Sequence, residues 1–160
     1  MLDELPEKTE LIVPVELSEE EMAIYENIRT RTLSGLQSEK INPIEALMAL
    51  TKLRQAACSP ELVDKHLTIP SSKIRVFLEL VSELKENKHR ALVFSQFTSF
   101  LALVRQALDK AGIEYLYLDG SVPAAQRKKL VETFQNGDMP LFLISLKAGG
   151  TGLNLTQPTT

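Results

Sequence analysis

The chain has 160 residues, 44% of them apolar, and a formal net charge of −3, which fits one domain with its own core and excludes a uniformly basic nucleic-acid binder. Any DNA contact therefore has to be local. A single cysteine, Cys58, excludes an internal disulfide framework; the acidic start MLDELPEKTE is no signal peptide and no stretch of about twenty apolar residues exists, so the expected compartment is the cytoplasm, or the nucleus in a eukaryote.

Near the amino end, Leu11, Val13, Val15 and Leu17 alternate with Ile12, Pro14 and Glu16. The alternation predicts a strand, and Pro14, which has no N–H to give a ladder, makes it an edge strand. Ser18-Glu19-Glu20-Glu21 reads as a capping box opening a helix, with Met22, Tyr25, Ile28 and the run Arg29 to Thr32 on one stripe, fading by Gly35. Asn42-Pro43 starts a second helix, whose Ile44, Leu47, Met48, Ala49, Leu50 and Leu53 form an apolar face leading to Cys58. Cys58 itself reads as a small buried apolar residue. A turn at Ser59-Pro60 and a brief helix around Glu61, Leu62 and Val63 follow. Residues 18–66 are thus a helical unit with little chemistry, and its Arg29, Arg31, Lys52 and Arg54 read as a solvated face.

Residues 66–71 form a linker into a half of different composition. Ser72 is placed to cap a helix with Ile74, Phe77, Leu78, Val81 and Leu84 at helical spacing, ending at Glu86-Asn87-Lys88. Ala91 to Phe94 reads as a buried strand. A helix capped by Thr98 or Ser99 follows, with Leu101, Val104, Leu108 and Ala111 toward the sheet and Gly112 as its stop. Ile113 to Leu118 is the next strand. Pro123 starts a helix with Leu130, Val131 and Phe134 inward and Gly137 at its close; Leu141 to Ile144, after the breaker Pro140, is a strand covered on both faces. This alternation predicts an α/β fold with a parallel sheet and right-handed crossovers. The expected divisions are an inter-lobe segment at 1–17, a helical insertion and linker at 18–71, and the α/β lobe at 72–160.

Three motifs begin where strands end: Ser95-Gln96, Asp119-Gly120-Ser121 and the stretch from Ser145 to Gly150. Parallel sheets bind ligands at that edge. Ser95, Gln96 and Thr98 suit phosphate oxygens at a helix N-terminus, or, for Thr98, plain capping. Asp119-Gly120-Ser121 suits a tight Asx-type turn, with Ser121 free for a backbone contact. Lys147 follows a strand end and precedes Gly149, Gly150 and Gly152, a place that favours phosphate contact. Those glycines form neither a phosphate-binding loop, which ends in Gly-Lys-Ser/Thr, nor a GxGxxG fingerprint, since Leu155 stands where the third glycine belongs. Asn154 suits a ribose hydroxyl or a helix end. His66 and His89 are isolated, and the spacing of Phe94, Phe97 and Phe100 suggests core.

In order and spacing, VFSQFTSFL (93–101), LDGSVPAAQR (118–127) and SLKAGGTGLNL (145–155) resemble three motifs of the second RecA-like lobe of Swi/Snf-type DNA translocases. LPEKTELIVPVELSEEEMAIYE and ALTKLRQAACSPELVD resemble the inter-lobe segment and the helical insertion of that family. The resemblance implies a RecA-like parallel sheet with helices on both faces, preceded by a helical insertion. It implies DNA-backbone contacts at Ser95, Gln96, Ser121, Arg127, Ser145, Lys147 and Gly149, and a share of the ATP cleft at Gly150, Gly152 and Asn154. It implies no catalytic or metal-binding residue here, because the first lobe of such enzymes brings the phosphate-binding loop and the magnesium ligands. ATP and magnesium would act in the two-lobe enzyme, with neither bound tightly to this chain alone. The implied partners are double-stranded DNA, the first RecA-like lobe and a nucleoprotein target, without a membrane. The family continues into a QAxxRxxRxGQ-type arginine motif that this sequence does not reach, so the sheet is expected to continue past Thr160 and to leave Leu141 to Ile144 as an uncovered edge. Two alternatives remain: the C-terminal lobe of an RNA helicase, against which the helical unit and the wording SLKAGGTGLNL speak, and a non-catalytic α/β interaction module.

Overall fold

The computed structural model describes residues 9–37 and 42–146. Two helices come first, α1 (Glu19–Leu36) and α2 (Pro43–Cys58), then a single 3₁₀ turn at Pro60–Leu62 and a third helix, α3 (Ser72–Glu86). The α/β part follows as β1 (Ala91–Ser95), α4 (Thr98–Ala111), β2 (Leu116–Leu118), α5 (Ala124–Asn136) and β3 (Leu141–Ser145). Residues 9–18 pair with no strand, so the expected edge strand is absent. Alternation there had no ladder to join: Leu11, Ile12 and Val13 stay exposed.

The sheet is parallel throughout, in the order β1-β3-β2. Its last strand is its middle strand, which corrects the expectation of an uncovered edge at Leu141 to Ile144. Sequence order and spatial order differ because β2 is set one strand away from β1, leaving a slot into which β3 inserts. Phe142 stands between Leu92 of β1 and Leu116 of β2, and Ile144 between Phe94 and Leu118. All five residues of β3 are buried.

Each face of β3 has its own core. Leu141 and Leu143 pack with Val81, Phe100, Leu101, Val104 and Leu108, supplied by α3 and α4. Phe142 and Ile144 pack with Leu118 and Phe134, and α5 closes that side with Leu130 and Val131. The two-residue period of a strand thus sends alternate side chains into two helical layers, the arrangement expected from its unbroken apolar run. Because both of its ladders are satisfied, amide hydrogen exchange should be slowest at Phe142, Leu143 and Ile144. Exchange there as fast as at Leu92 to Phe94 would contradict the strand order.

Local signals act mostly where the sequence puts them. Ser18 and Glu21 form the reciprocal capping box, and Asn42 Oδ1 accepts from Ile44 N at 3.1 Å. Gly112 ends α4 at φ +69°, a conformation that costs a side chain. Gly137 ends α5 for a different reason: a Cβ there would stand 2.7 Å from the Thr133 carbonyl oxygen. Arg90 Nη1 donates to the carbonyls of Phe134 and Gly137, completing that helix end. Four expectations are displaced. Ser71, not Ser72, caps α3, accepting from Ile74 N at 3.2 Å; Phe97, not Thr98 or Ser99, stands at the cap of α4; β2 spans three residues only; Ala111 is exposed.

The helical unit is tied to the lobe by Glu21. Its carboxylate accepts from the backbone N–H of Ser18 at 3.2 Å and, across 51 residues of sequence, from the backbone N–H of Ser72 at 3.2 Å and from the Ser72 hydroxyl. One buried carboxylate therefore serves the starts of both α1 and α3. Cys58 is buried nearby, as expected, and its carbonyl accepts from Ser71 Oγ at 2.5 Å. The predicted apolar face of α2 is largely open, with Ile44 and Leu47 each 66% exposed.

Candidate nucleic-acid interface

The C-terminal ends of β1, β2 and β3 carry Ser95, Asp119-Gly120-Ser121 and Ser145 along one edge of the sheet. Parallel register makes this unavoidable: strands that run the same way finish on the same side. Ser95 and Ser145 are register partners on neighbouring strands. Ser95 Oγ accepts from Phe97 N at 3.2 Å, turning the chain into α4. Ser145 is 1% exposed, and its hydroxyl has no hydrogen-bond partner among the described residues. A buried hydroxyl without a partner is costly, so such a group calls for an acceptor or donor from elsewhere in the chain, a water or a ligand.

Two helices open onto this edge, and neither has a side-chain cap. Phe97 precedes α4 and Pro123 precedes α5, whereas Ser18, Asn42 and Ser71 cap α1, α2 and α3. The first-turn N–H groups of α4 and α5 have no acceptor within their helices, and the helix dipole makes that end attractive to an anion.

The turn after β2 is built by its own residues. Asp119 Oδ1 accepts from Ser121 N at 2.9 Å and from Ser121 Oγ at 2.5 Å; Asp119 Oδ2 accepts from the Tyr117 hydroxyl at 2.8 Å. The Ser121 hydrogen bond, then that of Tyr117, hold the Asp119 carboxyl below the usual aspartate range although partial burial opposes them. Burial and the neighbouring Asp119 carboxylate push the Tyr117 phenol up to about 12. Arg105 of α4 lies over the Tyr117 ring, 4.2 Å from its centroid. Arg127 reaches back to the same turn, its Nε donating to the Val122 carbonyl at 2.8 Å and its Nη2 to the Gly120 carbonyl at 3.2 Å. In this geometry Ser121 spends its proton on Asp119, and Arg127 spends donors on the turn. Gly120 has no positive φ, and no atom of the described residues lies within 4 Å of where its Cβ would stand, so nothing among them requires glycine there.

Gln96 is held from outside the sheet. Its Oε1 accepts from Arg54 Nη2 of α2, and the Arg54 guanidinium lies 5.8 Å from the Phe97 ring centroid. Arg54 stays exposed, as expected of a solvated face, but its bond to Gln96, 42 residues away, had no local signal. Phe94 departs from the core expectation and is 48% exposed, whereas Phe100 is buried and Phe97 packs against the same core. Lys147, Gly149, Gly150, Gly152 and Asn154 lie outside the described residues. A groove of about 720 Å³ between the linker, α3 and α4, floored by Leu67, Ile69, Ile74, Leu78 and Leu103, touches none of the predicted site residues. Among the described residues, no group of three or more His, Cys, Asp or Glu forms a metal site, and no helix is long and apolar enough to cross a membrane.

Residues 72–160 match the helicase conserved C-terminal domain family, more than half of the sequence, and the chain belongs to that family. Proteins of the Swi/Snf type stand among those it resembles. It is 34% identical over 167 aligned residues to the chromodomain-helicase-DNA-binding protein 1-like of Danio rerio, covering 98% of this chain and 16% of that protein. The C-terminal domain of a Sulfolobus solfataricus SWI2/SNF2 ATPase superposes with a TM-score of 0.78 at 24% identity, over 90% of this chain and 66% of that one. The core of a Sulfolobus solfataricus SWI2/SNF2 ATPase in complex with double-stranded DNA superposes at 0.72 and 21%, over 82% of this chain and 29% of that one. At these identities the structural likenesses establish the fold, a RecA-like α/β lobe.

Proposed function

We propose that this lobe is the second motor lobe of an ATP-driven translocase on double-stranded DNA, holding the duplex backbone along the C-terminal edge of its sheet. The observation that carries the proposal is that edge: three strand ends, two helix starts without side-chain caps, and the buried hydroxyl of Ser145, which has no partner among the described residues. Phosphate oxygens supply what those groups lack, acceptors with negative charge. Ser95 and the Gln96 amide lie beside the start of α4. Since Arg54 can only donate, it engages the Gln96 oxygen and leaves the amide NH₂ as a donor for a phosphate. Ser121 and Arg127 form the rim at β2, with Arg127 holding the turn's shape. Lys147 and Gly149 continue the phosphate track, while Gly150, Gly152 and Asn154 take the nucleotide side. The name of the Sulfolobus complex, an ATPase core with duplex DNA, supports the choice of partner.

ATP would sit between this lobe and a first RecA-like lobe, which would supply the phosphate-binding loop and the magnesium ligands. This lobe's part would be to bind, orient and move the backbone. In the full-length protein, duplex DNA should stimulate ATP hydrolysis while single-stranded RNA should not. The isolated 160-residue chain should show no magnesium-dependent turnover. Stimulation by RNA alone would reassign the lobe to RNA helicases, and turnover by the isolated chain would place the catalytic groups here.

A further inference from the structure

We propose that Arg54, on the helical insertion, is an additional phosphate-binding residue of the duplex-facing edge, positioned by Gln96 and Phe97. The proposal rests on the duplex-binding function given above. Arg54 lies on α2, about one turn before its end at Cys58, and reaches Gln96 across 42 residues of sequence. Only one of its five N–H donors is used by that bond, and the side chain is exposed.

The choice of partner is informative. An arginine whose task was to fasten α2 to the lobe would be held best by a carboxylate, as Arg29 is by Glu26 at 2.9 Å and Arg75 by Glu79 at 3.2 Å. Arg54 is held instead by a neutral amide oxygen and the face of a phenyl ring, and among the described residues no carboxylate neutralises it. Its orientation is set while its full charge is kept. That charge also stands beside the residue preceding α4, at the positive end of a helix, where a cation is disfavoured in isolation. An anion bound between the guanidinium and the first-turn N–H groups of α4 relieves both. A phosphodiester of the duplex is such an anion, with a planar pair of oxygens that suits a guanidinium fork.

The test is the salt dependence of duplex binding by the full-length protein without nucleotide, read by fluorescence anisotropy. Arg54→Gln should lower the slope of log affinity against log salt by about one unit, the loss of one phosphate contact. Arg54→Lys should keep the slope and bind several-fold more weakly, because an ammonium keeps the charge and loses the fork. Lys110→Gln, at the far end of α4, should leave the slope unchanged. An unchanged slope in Arg54→Gln, with or without a lower melting temperature, would make Arg54 a fastener and overturn the inference. An equal drop in Lys110→Gln would also overturn it, as a general charge effect. Absence of salt-dependent duplex binding by the wild type would instead remove the duplex-binding function itself, and the inference with it.

Discussion

Phe142→Ala should lower the free energy of unfolding by about 3–5 kcal/mol, the range for removing a large buried aromatic side chain. Phe142 is fully buried on the middle strand, and its ring lies 5.4 Å from that of Phe134, tilted by 53°. Leu92 and Leu116 flank it in register on the two neighbouring strands, so the space left behind has rigid walls and little freedom to collapse. Urea unfolding with an unchanged m-value is the measurement; Phe142→Leu, which refills most of the volume, should cost less than half as much. A loss below about 1 kcal/mol for the alanine variant would mean that α5 does not close this face of the sheet.

Glu21→Ala should cost about 3 kcal/mol, since hydrogen bonds to a charged acceptor contribute about 1.5–3 kcal/mol and a helix cap is lost with them. Burial pushes this carboxyl up, but the Ser72 hydroxyl and N–H, joined by Ser18, outweigh it and hold the group below the ordinary glutamate value. The sign follows from that direction. A carboxyl depressed in the folded state contributes its full stability above the ordinary glutamate pKa and loses it as pH falls through the lower folded value. Stability of the wild type should therefore decline more steeply below about pH 4.3 than that of Glu21→Gln, whose amide does not titrate. Parallel pH profiles of the two proteins in urea midpoints would show that Glu21 carries no such linkage. Because this carboxylate joins α1 to α3, the alanine variant should also loosen the helical unit from the lobe, exposing Cys58 to thiol reagents.

Much of this protein is legible in its sequence, because local chemistry acts within one turn of chain. The Ser18 and Glu21 box, Asn42-Pro43, Gly112 and the unbroken apolar run of β3 each determine an element with no help from distant residues. Alternation of strands and helices determines a parallel sheet, and a parallel sheet puts its three strand-end motifs on one edge; the motifs themselves carry the family.

Tertiary structure decided what depends on residues far apart in the chain. The order β1-β3-β2 turned a supposed edge into the centre of the sheet, since pairing is chosen by which slot the crossovers leave open and not by sequence order. Alternation at Leu11 to Leu17 signals a strand only where it joins a ladder, and among the described residues it joins none. Glu21 was readable as the cap of its own helix but not of α3, and Arg54 as a charge on a helix but not as a neighbour of Gln96. In both cases the partner lies more than 40 residues away, and only the packing of the helical unit on the lobe brings the two within hydrogen-bond reach.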